Sequence, residues 1–242
     1  VLAGTGAQHP RPVVRGILGQ VEMVSGNKRQ GHVEAGHGGA FRGSFPVRTT
    51  GLGRTFWHKL ASMITPDHII DFWFRDIDET AWWRKSAAFD NQLRERFGAC
   101  HELACTGGLW PWRESAHGRL AEVIVLDQFS RNIHRDTPQA FAQDGMALVL
   151  AQELIRSGQA APFSLRERGV LYLPFMHSES LAMQDESVRL YSEPGLDGQL
   201  DFALQHRDII ARFGRFPHRN AILGRESTAE ELAFLREPGS AF

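Results

Sequence analysis

The chain has 242 residues, 42% of them hydrophobic and 23% charged, with a formal net charge of −1. That length can bury a sizeable core in one domain, and the composition excludes a disordered, fibrous or disulfide-built protein. No apolar run is long enough to span a bilayer, and the two cysteines, Cys100 and Cys105, would face different sides of a helix. A disulfide or metal pair is therefore not expected, and the reading places the protein in the cytoplasm with no membrane partner.

The charge is unevenly spread. Residues 1–62 hold eight Lys+Arg against two acids (+6) and 12 of the 24 glycines, whereas residues 63–242 hold 19 bases against 26 acids (−7). The first stretch shows no helical or alternating period, the pattern of a segment without a core of its own. The chain begins with Val and has only three lysines against 24 arginines, a bias of GC-rich coding DNA. Residues 1–62 are accordingly expected to be a Gly/Arg-rich extension, non-native upstream translation or disordered, ahead of a start near Met63. A basic arm for nucleic acid is set aside on the same ground, so no nucleic-acid partner is expected.

From Met63 onward the pattern is helix after helix. Thr65-Pro66-Asp67 opens the first, which carries Ile69, Ile70, Phe72, Trp73 and Phe74. A second is predicted from about Glu79 to Phe97, stopped by Gly98, and a short third over Ala99 to Ala104. The fourth starts near Ser115 and places Leu120, Ile124, Asp127 and Arg131 at helical steps. Thr137-Pro138 opens a fifth that carries Phe141, Leu148, Ala151 and Ile155 to Gly158. Ser164-x-x-Glu167 reads as a capping box for the sixth, which must end or kink at Pro174. The seventh follows Ser178, the eighth carries Phe202, His206, Ile209 and Phe213, and Thr228-x-x-Glu231 caps the last. No segment alternates like a strand. The expected fold is all-α: stacked antiparallel helical hairpins in one domain over 63–242.

Two short segments match each other. FSRNIHR (129–135) and FPHRNAILGR (216–225) each run from Phe through Arg-Asn to another Arg after an apolar helix. They suggest two corners built alike, with Asn132 and Asn220 in a left-handed or turn conformation and their amides tying up loose carbonyls. The wider stretch RFGRFPHRNAILGR (212–225) holds four arginines and no acid.

VLDQFSRNIHRDTPQAFAQD (125–144), LYLPFMHSESLAMQ (171–184) and HRDIIARFGRFPHRNAILGRESTAEELAFL (206–235) together resemble a bacterial family named only as domain of unknown function nine-hundred-and-twenty-four. The resemblance covers about residues 63–242 and implies a TPR-like all-α fold. It implies no activity, since the family has none established.

The chemistry must then be argued from the residues. Asp127 and Arg131, one turn apart, can pair and face inward, either as a structural brace or as orienter and ligand clamp. His206 lies on an apolar stripe, the usual setting of a core histidine, while His177 and Glu179 cluster at the Pro174 break, where polar residues tend to meet a cleft. His177, Glu179 and His206 are the candidate catalytic residues. No close pair of ligands, nucleophile elbow, phosphate loop or dinucleotide fingerprint occurs, so no metal and no cofactor are named. Arg215, Arg219 and Arg225, with Arg131 and Arg135 on the twin corner, suit bidentate contacts to carboxylate or phosphate. They can brace helix ends through acids of the domain, or line an anion-selective cleft with Asn132 and Asn220.

Three functions compete: a module binding a small anionic molecule or peptide carboxylate, a hydrolase or transferase with a histidine base and Glu179 or Asp127 orienting it, and a ligand-free scaffold. Polar residues exceed what helix caps require and no catalytic spacing is present, so binding is preferred. A shared cavity is expected, lined by Arg131 and by Arg215 or Arg219, and reached by His177 or Glu179.

Overall fold

The computed structural model describes residues 63–240, so the reading of residues 1–62 as an extension lies outside the described residues. Every regular element among the described residues is helical, and the fold is all-α. The chain enters through α1 (Pro66–Asp71), with proline as its first residue, and widens into a π-type turn at Phe72–Asp76. α2 (Thr80–Trp83) is a single turn, and α3 (Ala87–Cys105) follows after a break. α4 (Ala116–Ile124) passes through a second π-type turn, Val125–Phe129, into α5 (Ser130–Ile133). A 3-10 turn at Pro138–Phe141 precedes α6 (Asp144–Arg156). α7 (Leu165–Leu171), α8 (Leu173–Met176), α9 (Leu181–Tyr191) and α10 (Asp197–Phe213) lead to a 3-10 turn at Pro217–Arg219 and to α11 (Ala229–Phe234).

The core gathers where α1, α3, α4 and α6 pack around the π-type turns. Phe72, Trp73, Phe97 and Phe129 are nearly or wholly buried there, with ring centroids 4.9 Å apart for Phe72–Phe97 and 5.2 Å for Phe97–Phe129. Such pairs contribute about 0.5–1.5 kcal/mol each beyond the area they bury. α9 and α10 fold back on each other as a hairpin. A second small core of Ile209, Ile210 and Phe216 forms where α10 ends, packed against Phe213 and Phe234.

Several local signals act as expected. The Ser115 hydroxyl accepts from the Gly118 N–H, and Ser164 and Thr228 close capping boxes with Glu167 and Glu231. Cys100 and Cys105 are free thiols on one helix.

Four expectations are corrected. The helix foreseen from Glu79 to Phe97 breaks before Ser86, which caps a new helix by accepting from the Phe89 N–H. That helix does not stop at Gly98 but absorbs the foreseen third helix and runs to Cys105. Gly98 has no left-handed backbone, whereas Gly107, which ends the segment, has φ 75°. A side chain at Gly98 would meet only Arg94 Cγ at 3.9 Å, so nothing there requires glycine.

The fifth helix likewise does not start at Thr137-Pro138. That pair opens the 3-10 turn, and α6 starts afresh at Asp144. Of the two alternatives for the corner asparagines, neither residue is left-handed, and Asn220 takes the turn. Asn132 closes the last turn of α5 and Asn220 has φ −58°. The left-handed residue comes four positions later in both corners, Asp136 at φ 60° and Gly224 at φ 66°. The asparagine amides bind side chains instead of carbonyls, because the residue that needs the turn lies further on.

Because Gly98 sits in a helix interior with ordinary space beside it, Gly98→Ala is expected to raise stability by about 0.5–1 kcal/mol. Urea denaturation measures it; a loss of stability would show that the position requires glycine.

Candidate functional site

The two corners converge on one carboxylate. Arg131 Nη1 and Nη2 donate to Asp144 Oδ1 and Oδ2 at 2.9 and 3.1 Å, and Arg219 Nη1 donates to Oδ2 at 3.2 Å. Both guanidiniums also lie over the Phe141 ring, at 5.8 and 4.5 Å from its centre. Phe141 and Asp144 flank the break before α6, so that break sets them between the corners.

Behind this pair lies Asp127, 1% exposed. The π-type turn turns its carboxylate inward, where it accepts from His177 Nδ1 at 2.9 and 3.0 Å and from the Gln128 amide, and pairs with Arg131 at 3.1 Å. Burial alone would raise the Asp127 pKa, but Arg131 and His177 outweigh it and hold the carboxyl well below its usual range. For His177 burial dominates: with Arg131 it disfavours the imidazolium more than Asp127 favours it, and the pKa is lowered. The turn that carries His177 is held by the buried Gln184, whose amide donates to the Met176 and Ser178 carbonyls at 2.7 and 2.6 Å. Arg219 Nη2 donates to the His177 carbonyl at 3.0 Å.

Asp144, His177 and Arg219 line a cavity of about 310 Å³ whose wall also includes Phe141, Gly145 and Glu179. Its size suits a small ligand. Arg219 is 6% exposed, and burial together with Arg131 lowers its pKa to about 10. Asp144 and Gly145 are the first residues of α6, a helix start that Gln143 does not cap with its side chain. The Ala147 N–H is bonded to the Gln143 carbonyl at 2.9 Å, and the first turn ahead of it receives no side-chain cap from Gln143. Uncapped N–H groups at the positive end of a helix dipole are an anion-binding arrangement.

The other sequence candidates sit apart. Arg131 stands behind Asp144, not on the cavity wall. Arg215 grips Glu231 at 2.7 and 2.9 Å, away from the cavity. Arg225 grips Glu179 at 2.7 and 2.9 Å and donates to the Asn220 side-chain oxygen at 3.0 Å. Glu179 also accepts the Phe216 N–H at 2.8 Å, and these bonds outweigh burial to lower its pKa. Asn132 and Arg135 both donate to Asp90, at 2.9 and 2.6 Å. His206 is buried against Phe216, donates Nδ1–H to the Phe202 carbonyl at 2.8 Å, and has a pKa pushed down to about 3 by burial. Among the described residues no group of three His, Cys, Asp or Glu side chains could hold a metal ion.

The sequence reading missed Phe141, Asp144 and Gln184. Asp144 closes the quoted motif 125–144, and Phe141 lies three residues before it, but a continuous helix would have hidden the opening between them.

Residues 69–239 match the profile of a family described as bacterial protein of unknown function (DUF924). The chain belongs to this family. A solved structure of a protein of unknown function from Agrobacterium tumefaciens is 41% identical, covers 74% of this chain and 98% of its own, and superposes with a TM-score of 0.67. No curated protein matches the chain. No helix among the described residues is long and apolar enough to cross a membrane.

Asp127 is held ionised below the pKa it has when unfolded. Its contribution to stability is therefore complete above the ordinary carboxylate range and is lost as pH falls through its lowered folded value. Asp127→Asn leaves Arg131 and His177 without that charge and is expected to cost about 3–5 kcal/mol at neutral pH, with a smaller penalty in acid, as read by urea denaturation. A penalty that does not shrink in acid would deny the carboxylate this role.

Proposed function

We propose that the cavity binds a small anion, a phosphate or carboxylate group on a metabolite or peptide, within a TPR-like helical frame. The observation that carries this reading is the uncapped start of α6 facing the same cavity as Arg219. Helix N–H groups and a guanidinium are complementary donors to an oxyanion. Arg219 is also undersupplied: it shares Asp144 with Arg131, and its buried Nε has no hydrogen-bond partner. Arg131, Arg215 and Arg225 are matched by acids, so they brace the corners while Arg219 meets the ligand.

A second reading, an enzyme with a histidine base, is favoured by the Asp127–His177 pair at the cavity wall. It is the alternative to simple binding, and it uses the same cavity.

Inorganic phosphate and a panel of di- and tricarboxylates are expected to raise the melting temperature saturably. One that binds only the folded protein stabilises it by about 2.7 kcal/mol at a hundredfold excess over its dissociation constant. Arg219→Lys is expected to abolish most of that response, because lysine lacks the planar fork. A panel without effect, or an undiminished response in the variant, would overturn the proposal.

A further inference from the structure

We infer that the anion taken by this cavity carries its own proton donor, an O–H beside the oxyanion as in hydrogen phosphate or a hydroxy acid, and that His177 Nε2 accepts it. The inference rests on the anion-binding reading above and names the ligand more closely.

The argument starts at Asp127. Its buried carboxylate takes His177 Nδ1, the Gln128 amide and Arg131. A carboxylate so surrounded only accepts, so the ring must present N–H at Nδ1. When the imidazole is neutral, Nε2 therefore holds a lone pair. Among the described residues none hydrogen-bonds Nε2, and His177 belongs to the cavity wall with its side chain 14% exposed.

The groups around the ring keep it neutral. Arg131 comes from α5, Asp144 from α6, Glu179 from the turn after α8, His206 from α10, and His218 and Arg219 from the second corner. Burial and Arg131 oppose a further positive charge more than Asp127 supports one. One cavity thus offers N–H donors from the α6 start, a guanidinium, the Asp144 and Glu179 carboxylates already matched by Arg131, Arg219 and Arg225, and the unmatched lone pair of a neutral imidazole. An oxyanion satisfies the donors, but its own lone pairs would be repelled by Nε2. Only an anion that also donates satisfies both, and leaving a desolvated acceptor unmatched is what discriminates against the rest.

The test uses matched pairs on the full chain in neutral buffer: hydrogen phosphate against sulfate, and malate against succinate, by calorimetry. The donor-bearing member of each pair is expected to bind roughly tenfold tighter or more. In His177→Phe the ratio of affinities within each pair, whatever their absolute values, is expected to fall to about one. Equal affinities within both pairs in neutral buffer would overturn this inference and leave anion binding standing. A preference that survives in His177→Phe would assign it to a different acceptor, and no binding by any of the four would remove both readings.

Discussion

An ionised carboxylate inside a helical core persists only if donors surround it, and Asp127 imposes that condition on the molecule. Its donors come from a neighbouring residue, from one turn further along and from a residue fifty positions away. From there the polar contacts close on themselves. Asp127 holds His177, the His177 carbonyl takes Arg219, Arg219 reaches Asp144, and Arg131 joins Asp144 back to Asp127. Each member fixes the geometry of the next, so the network ties the π-type turn, α6, the turn after α8 and the second corner into one arrangement. The cavity is the space this arrangement leaves beside the α6 start.

The arginine-rich stretch from 212 to 225 looks like exposed positive charge only when its partners are out of sight. Arg212 pairs with Glu230, Arg215 with Glu231 and Arg225 with Glu179. Two of these acids follow the stretch in the last helix and the third precedes it, so the corner is neutralised from both directions along the chain. The Arg135–Asp90 pair does the same for the first corner. Bracing and ligand contact are thereby divided among residues of one type by what each finds nearby.

Local chemistry was readable in the sequence because it acts over three or four residues. The capping boxes at Ser164 and Thr228, the cap at Ser115 and the pairing of Asp127 with Arg131 are all interactions of that range. The likeness of the corners was also legible, and with it the approach of Arg131 to Arg219. Asp144 as their meeting point was not, because its bond to Arg219 spans 75 positions and no periodicity encodes it. Gly98 misled for a different reason: glycine ends a helix through a left-handed backbone, and residue type alone does not reveal the backbone. Gln184 was invisible because its amide serves carbonyls, which every residue has.

The length of the Arg219–Asp144 link also bears on how the protein is made. During synthesis the chain emerges from its N-terminal end, and α4, α5 and α6 are available long before the second corner. Until Arg219 and Arg225 leave the ribosome, Asp144 has Arg131 alone, Glu179 lacks its guanidinium, and one wall of the cavity does not exist. A nascent or truncated chain ending before the second corner would therefore hold most of the core and none of the finished pocket.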